Sequence, residues 1–247
     1  MASAIRLGVN IDHIATLRQA RGTSYPEPAI GALLSEYAGC SSIVAHLRED
    51  RRHIKGRDIL LIKKAIKVPF NMEMSINKDI VEFALKIKPE QSTLVPERRQ
   101  ELTTEGGIDI VNKNNYKKVE KAVKVLKDGG VSVSLFIDPN EKQIENARKI
   151  GADMIEFNTG KYSEAKLAAS IKKELLKIKK AAAFAKDLGF FVAAGHGIDY
   201  ENVKEIVKIK EIEELNIGHS IICRSVFIGL VAAVEEMLGT IQSRRKE

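Results

Sequence analysis

The chain has 247 residues, of which 44% are hydrophobic and 30% charged, a composition typical of a water-soluble domain. No run of about 18 apolar residues occurs and the N-terminus has no apolar signal region, which argues against a transmembrane helix and secretion and favours a cytoplasmic protein with reduced Cys40 and Cys223. Lys and Arg outnumber Asp and Glu by 40 to 33, so the net charge of +7 predicts an anionic partner, which is nucleic acid, a membrane surface or a small phosphate.

Short β-like runs alternate with amphipathic helical stretches along the chain. The predicted strands are residues 5–12, 42–48, 68–74, 92–96, 131–138, 154–158, 190–194 and 214–217. Eight such units predict a closed (β/α)8 TIM barrel with additional helices, as a single domain over residues 1–247. A doubly wound open sheet is the alternative. It is less favoured because the turn after the first strand, NIDHIATLRQARG, lacks a Gly-rich dinucleotide fingerprint.

Apolar residues at helical spacing predict several amphipathic helices, and one of these stripes is Ile30, Leu33, Leu34 and Tyr37. Two connections are longer than a barrel needs. Residues 97–108 include the pair Gly106–Gly107, which we expect to hinge a lid. Residues 161–186 hold eight Lys and two Glu, so they contribute +6 of the net charge. A stripe in this second stretch is expected to face the core, leaving most Lys solvated: Leu167, Ile171, Leu175, Ile178 and Ala182.

Polar side chains recur at the carboxyl ends of the predicted strands, on the face opposite the helix layer. They are Asn10, Asp12, His46, Arg48, Asn71, Glu73, Glu156, Asn158 and Asn216. All five histidines lie at or just past a strand end: His13, His46, His53, His196 and His219. A lone His is more often structural, but five of five at strand ends favours one shared active site.

Glu73 lies between Met72 and Met74, where desolvation would raise its pKa and suit it to proton transfer. The alternative is an ion pair with Arg21 or Arg48.

Two segments have the composition of anion sites. Gly195-His196-Gly197 follows the seventh strand, and Gly218-His219-Ser220 leads from the eighth strand into a helix. A lone Gly-x-Gly is also common as a simple turn. Arg48, Arg51, Arg52 and His53 form a second basic cluster, for which a solvated loop with internal Arg–Glu pairing is the alternative. Two anion sites would indicate two phosphorylated ligands.

Several motifs together resemble the pyridoxine 5′-phosphate synthase family. They are GVNIDHIATLRQARG, AHLREDRRHI, NMEM, LVPE with ELTTEGG, SLFID, IEFNTG, AGHG and ELNIGHSII, in order over residues 7–229. The resemblance implies a (β/α)8 barrel with additional helices that assembles as a homo-octamer. The implied reaction condenses 1-deoxy-D-xylulose 5-phosphate with 3-amino-2-oxopropyl phosphate into pyridoxine 5′-phosphate, phosphate and water, with no metal or organic cofactor. Asn158 stands where many members have His, and GCSSIVAHL replaces a commoner acidic turn.

The resemblance also implies residue roles. His46 and Glu73 correspond to proton acceptors, His196 to a proton donor and Glu156 to a carboxylate that stabilises the transition state. The positions implied to hold the deoxyxylulose phosphate are Asp12, His13, Arg48, His53 and Thr103. Those implied to hold the amino-ketone phosphate are Asn10, Arg21, Gly197, Gly218 and His219.

Three other functions remain as alternatives. A metal-dependent barrel hydrolase would usually have two His one residue apart after the first strand, and Asp12-His13 does not supply them. A phosphosugar isomerase or aldolase would share the phosphate site but need only one substrate. A nucleic-acid-binding protein follows from charge alone, yet 5% aromatic residues and no Trp offer little for base stacking, so neither nucleic acid nor membrane is expected as a partner.

Overall fold

A computed structural model describes residues 5–97 and 106–245, and its eight parallel strands close into a barrel. The strands are β1 Arg6–Asn10, β2 Ser42–Leu47, β3 Phe70–Met74, β4 Gln91–Leu94, β5 Ser132–Ile137, β6 Met154–Asn158, β7 Phe191–Gly195 and β8 Glu214–Ile217. Each strand pairs with the next in sequence, and β8 closes the ring on β1 with Asn216 beside Gly8. All eight predicted strands are present, and the predicted TIM barrel is confirmed. That residues 1–247 form a single domain stays a prediction.

Helices follow the strands around the outside of the barrel. They are α1 Asp12–Arg21, α2 Pro28–Tyr37, α3 Gly56–Ala65, α4 Lys78–Ile87, α5 Lys113–Asp128, α6 Glu141–Ile150, α7 Gly160–Ser163, α8 Ala168–Asp187, α9 Val203–Ile206, α10 His219–Ile228 and α11 Leu230–Arg245. The long connection at 161–186 thus divides between two helices, α7 and α8. Across the described ranges, no helix combines the length and apolarity needed to cross a bilayer.

Alternate residues of each strand face opposite layers, as the sequence pattern predicts. Leu7 and Val9 of β1 are fully buried beneath the helices, and so are Met72 and Met74 of β3. The other face of these strands lines the barrel interior, which is unusually polar. Its buried side chains include Asn71, Thr93, Glu156, Glu214 and Asn216. Polar groups therefore point into the barrel, and the apolar side chains that stabilise the fold by burial lie between the sheet and the helices.

Helix α2 packs through its small residues rather than its large ones. Its buried residues are Pro28, Ala29, Gly31, Ala32 and Ser35. The predicted apolar stripe is exposed instead: Ile30 58%, Leu33 43%, Leu34 40% and Tyr37 81%. Contact with α1 is close, since a Cβ added at Gly31 would lie 2.1 Å from Cδ1 of Ile14. The predicted helix is therefore present over Pro28–Tyr37, but its apolar stripe does not pack in the chain's own core.

Helix α8 follows its predicted orientation over most of its length. Ile178 and Ala182 are buried, and Ile171 and Leu175 pack against the core. Leu167 is 72% exposed, which contradicts its place in the predicted stripe. It is the N-cap residue and precedes the first helical turn, so the helical period does not extend to it.

Candidate active site

Three strand ends bring Asn10, Asp12, His46 and Glu73 together at the mouth of the barrel. The Asp12 carboxylate accepts a hydrogen bond from the backbone N–H of His46 at 2.8 Å. Asn10 Nδ2 donates to Oδ2 of Asp12 at 3.1 Å and to Oε2 of Glu73 at 3.5 Å. Asp12, His46 and Glu73 each offer one polar atom within 4.8 Å of the others. The predicted convergence of these strand-end groups is present in the structure.

Two buried carboxyl groups in this region have raised pKa values. Burial raises the pKa of Glu73 well above its ordinary value, and the nearby carboxylates of Glu156 and Asp12 raise it further. Burial also raises the pKa of Glu156 to about 8, against a hydrogen bond from Asn216 Nδ2 to its Oε2 at 2.7 Å. The pKa of Glu156 thus falls near neutral pH, where that of an ordinary surface carboxylate does not.

Glu73 forms no ion pair with either arginine proposed for it. Within the described ranges its side chain accepts only from Asn10, while Arg48 is paired with Asp50 at 3.2 Å and Arg21 is exposed at the end of α1. The ion-pair interpretation of Glu73 is therefore wrong.

Four of the five histidines form two neighbouring pairs. The rings of His13 and His219 are 4.7 Å apart between centroids, and those of His46 and His53 are 6.3 Å apart. Burial lowers the pKa of His13 and of His53, so both rings favour the neutral form. Nδ1 of His13 is buried without a hydrogen-bond partner in the described part of the chain. The rings of His13 and His53 can therefore offer neutral donors and acceptors to a ligand.

His196 lies apart from that group, just beyond β7. Its ring packs edge-on to Phe136 at 6.5 Å, and burial lowers its pKa. Its φ of 77° is rare for a residue other than Gly. Thr159 Oγ1 fixes this backbone by donating to the carbonyl oxygen of His196 at 2.6 Å. The structure shows no direct contact between His196 and Asp12, His46 or Glu73.

The glycines of the two predicted anion segments lie where a side chain would collide. A Cβ at Gly218 would lie 2.8 Å from the carbonyl oxygen of Asn10, and one at Gly197 would lie 2.0 Å from Oγ of Ser163. Gly218 is the N-cap of α10, so the first N–H groups of that helix point out of its N-terminus without intrahelical partners. His219 is the first residue of α10 and is exposed.

The second basic cluster is folded around an acidic residue. Asp50 pairs with Arg48 at 3.2 Å and with Arg52 at 2.6 Å. Arg48 itself is 3% exposed, whereas Arg51 is exposed. Internal pairing thus exists in this loop, but with Asp50 rather than the expected Glu, and the Arg48 side chain is buried rather than solvated. Thr103, the remaining residue implied to bind substrate, lies outside the described residues.

Asn158 occupies a connected position on β6. Its Nδ2 donates to Asp138 at 3.0 Å, and its Oδ1 accepts from the N–H of Gly160 at 2.9 Å. Asp138 also pairs with Lys161 at 2.8 Å. The Asn side chain therefore joins the ends of β5 and β6 to α7 through both its nitrogen and its oxygen.

Glu97, just after β4, is a site residue that sequence reasoning missed. Its Oε1 lies 2.9 Å from Nε2 of His46, and both side chains are nearly buried. The LVPE motif and the position after a strand were the available signals. A closed parallel barrel with carboxylates and histidines gathered at the carboxyl ends of its strands has the architecture of a TIM-barrel enzyme.

Residues 7–243 match the family described as "Pyridoxal phosphate biosynthesis protein PdxJ", and the chain belongs to that family. A pyridoxine 5′-phosphate synthase of Sulfurihydrogenibium sp. (strain YO3AOP1) is 52% identical over 246 residues, 98% of this chain and 100% of the relative. One of Coxiella burnetii (strain Dugway 5J108-111) is 53% identical over 233 residues, 94% of this chain and 96% of the relative. The prediction that the function is that of a pyridoxine 5′-phosphate synthase is confirmed.

The barrel itself is shared more widely. KGPDC from Streptococcus mutans superposes with a TM-score of 0.65 at 13% identity, covering 98% of this chain and 99% of that one. At that identity the likeness concerns the fold alone.

Proposed function

We propose that the cluster at the barrel mouth condenses 3-amino-2-oxopropyl phosphate with 1-deoxy-D-xylulose 5-phosphate by general acid–base catalysis, as a transferase-type condensing synthase. Ring formation from an amine and a ketone requires a carbinolamine, its dehydration, loss of phosphate and a second carbonyl addition. Each of these steps moves a proton, so several acids and bases of different strength are needed. The observation that carries the proposal is the convergence of Asp12, His46 and Glu73 within 4.8 Å.

The environments of the ionisable groups support distinct roles. His46 and Glu73 accept protons, and the raised pKa of Glu73 makes its carboxylate a stronger base than a solvated one. Glu156, with a pKa of about 8, is largely protonated at neutral pH and stabilises the developing charge by donating a hydrogen bond. His196, which lies beyond the carboxyl end of β7 and across the barrel mouth from Glu73, donates a proton to the leaving oxygen.

Binding of the two substrates is assigned to two groups of residues. The deoxyxylulose phosphate is held by Asp12, His13, Arg48, His53 and Thr103. The amino-ketone phosphate is held by Asn10, Arg21, Gly197, Gly218 and His219. The unpaired N–H groups at the start of α10 support the second assignment, because a helix N-terminus attracts phosphate. Holding both reactants by their phosphates supplies part of the roughly 7–11 kcal/mol available from proximity.

Two substitutions test the catalytic assignment. We expect His46→Ala and Glu73→Gln to reduce the rate of pyridoxine 5′-phosphate formation by about 10²–10⁴-fold while the protein stays folded. Product formation from the two phosphates is measured together with thermal unfolding. Glu145→Gln, an exposed carboxylate on α6, is the matched control. Turnover close to wild type in either site variant would disprove the assignment.

The reaction is expected to need no metal or organic cofactor. Asp12, His46 and Glu73 are nevertheless spaced closely enough for a metal ion. Exhaustive treatment with a chelator therefore separates the two cases. Unchanged turnover supports the metal-free reaction, and loss of turnover restored by a divalent cation would favour the metal-dependent alternative.

We further propose a cytoplasmic homo-octamer, the assembly that the resemblance implies. Free Cys40 and Cys223 fit a reducing compartment. The apolar stripe of α2 and the exposed Phe227 at the end of α10, 82% accessible, support self-association, since a monomer would leave them in water. Light scattering of the wild-type protein should give the mass of eight chains, and Leu33→Asp should give a smaller mass. A monomeric wild-type protein would contradict the proposal.

A further inference from the structure

The His46 ring is held by a carboxylate to which no role has been assigned. Nε2 of His46 and Oε1 of Glu97 are 2.9 Å apart, and their side chains are only 7% and 6% exposed. A hydrogen bond so well shielded from water fixes the orientation of the ring more firmly than a surface contact would.

The Glu97 carboxylate is itself fixed from its other side. Its Oε2 accepts a hydrogen bond from the backbone N–H of Glu49 at 3.0 Å. The Glu49 side chain in turn accepts from Oγ of Ser75 at 2.7 Å, beyond the end of β3. Glu97 thus joins the segment after β4 to the segment after β2, and it cannot turn away from His46 without losing its bond to the Glu49 N–H.

The protonation state of the pair follows from its surroundings. Burial alone would raise the pKa of Glu97, but the hydrogen bond and charge of His46, the N–H of Glu49 and the charge of Arg48 together lower it. An ionised carboxylate only accepts hydrogen bonds, so Nε2 of His46 carries the proton. In the neutral ring Nδ1 is then the free acceptor, and no described residue donates to it.

We propose that Glu97 is the positioning residue that holds His46 in the tautomer with Nδ1 free to take a proton from the substrate. The inference rests on the proposed role of His46 as a proton acceptor. When Nδ1 takes the proton, the ring becomes a cation with N–H at both nitrogens, and the Glu97 carboxylate balances its charge. The proton leaves Nδ1 again to solvent water before the next turnover, and Glu97 stays ionised throughout.

The other charged and titratable groups around the ring do not duplicate this contact. Asp12 of α1 binds the backbone N–H of His46 rather than its ring. Glu73 of β3 faces the ring from the neighbouring strand, and its pKa is raised. His53 and Arg48 follow β2. Neither carries a negative charge that could balance a protonated His46 ring. Glu97 is therefore the one described carboxylate that accepts a hydrogen bond from the ring.

Glu97→Gln tests the proposal, because it keeps the size of the side chain but removes the charge. We expect kcat to fall by about 10²-fold or more, as for other carboxylates that orient a histidine base. The KM of each substrate should change by less than about 3-fold, since both oxygens of Glu97 are already bound, one to His46 and one to the backbone N–H of Glu49. Glu97→Asp should recover part of the lost kcat, and Glu145→Gln serves as the control.

Thermal unfolding of each variant is measured as well, because a clearly lowered melting temperature would show that the substitution acts on the stability of the protein. The proposal is overturned if Glu97→Gln keeps the wild-type kcat, or if it raises KM alone. It is also overturned if Glu97→Asp, folded as well as wild type, recovers nothing beyond the Gln variant. His46→Ala, assayed in parallel, distinguishes the role of His46 as the base from the role of Glu97 in positioning it. Wild-type turnover in His46→Ala would remove the proposed base itself, whereas an inactive His46→Ala beside a fully active Glu97→Gln would remove only the role of Glu97.

Discussion

The pKa of Glu156 is set mainly by the burial of its carboxyl group inside the barrel. It lies fully inside the barrel, where Asn216 donates to one oxygen and the neighbouring Glu214 raises its pKa further. A Cβ at Gly195 would lie 2.3 Å from its other oxygen, so the backbone of β7 closes in on that side. The folded-state pKa of this carboxyl group is about 8, against an ordinary value of 4.5. As pH rises, the folded protein therefore keeps this proton up to a much higher pH than the unfolded chain does.

The sign of the resulting pH dependence follows from proton linkage. Between about pH 4.5 and 8 the folded protein binds more protons at Glu156 than the unfolded chain, so this group lowers the free energy of unfolding as pH rises. Glu156→Gln removes the effect, because a neutral amide resembles the protonated acid. We expect the variant to be more stable than wild type by about 1–4 kcal/mol at pH 8 and by much less at pH 5.

Urea unfolding at both pH values, at matched protein concentration, measures this difference. The same variant should lose most of its activity at either pH. A stability difference that does not grow from pH 5 to pH 8 would contradict the assigned pKa, and Glu145→Gln should show no such trend.

At the scale of the element, the segment entering α5 depends on close contact with β5. Ile108 N–H donates to the carbonyl of Phe136 at 2.8 Å, and Gly107 N–H donates to Asp138 at 3.1 Å. Gly107 has no room for a side chain, whereas Gly106 beside it has nothing within 4 Å of an added Cβ. The contact explains the need for glycine at 107; that the pair is a hinge stays a prediction, and residues 98–105 lie outside the described structure.

Gly107→Ala and Gly106→Ala therefore form a matched pair of substitutions. A Cβ at Gly107 would lie 2.3 Å from the backbone nitrogen of Asp138, which cannot move without disturbing β5. We expect Gly107→Ala to lower the free energy of unfolding by about 1–3 kcal/mol and to reduce activity, while Gly106→Ala changes stability by less than about 0.5 kcal/mol. Equal stability of the two variants in denaturant unfolding would be inconsistent with the close contact.

Across the whole molecule, the excess positive charge is concentrated away from the candidate site. Residues 161–186 carry +6 of the net +7. On α8 four exposed lysines form no ion pair with any described residue: Lys172, Lys173, Lys179 and Lys180. Charge on the outer helix layer acts on substrates only through the screened long-range field. Asn10, His46, Arg48 and Gly218, by contrast, lie in or just beyond the strands at the candidate site.

Replacing those four lysines by Gln lowers the net charge from +7 to +3. We expect kcat/KM for either substrate to stay within about 3-fold of wild type at 0.15 M salt, where the Debye length is about 8 Å. Arg48→Gln, which removes a charge at the site, should reduce it much more. Steady-state assays compare the two proteins, and a large loss in the lysine variant would assign a binding role to α8.

The amino-acid sequence by itself predicted the barrel, the family and the inward direction of the polar strand residues. Alternation of apolar and polar residues decides which face of a strand packs under helices, so the pattern alone places Asn10 and Glu73 inside the barrel and Met72 outside it. Parallel strands then bring their carboxyl ends to one rim, which predicts a shared site for residues as distant in sequence as Asp12 and His46.

Only the tertiary structure decided which groups touch and which faces are covered. The helical period of α2 gives an apolar stripe but not its partner, and the close approach of Gly31 to Ile14 turns the small face inward. The contact between His46 and Glu97 joins residues 51 positions apart through side chains whose rotamers no local pattern specifies. Pairing of Asp50 with Arg48, rather than Glu73 with an arginine, likewise depends on distances in the folded chain. Periodicity fixes the direction in which a residue faces, whereas contact depends on packing in three dimensions.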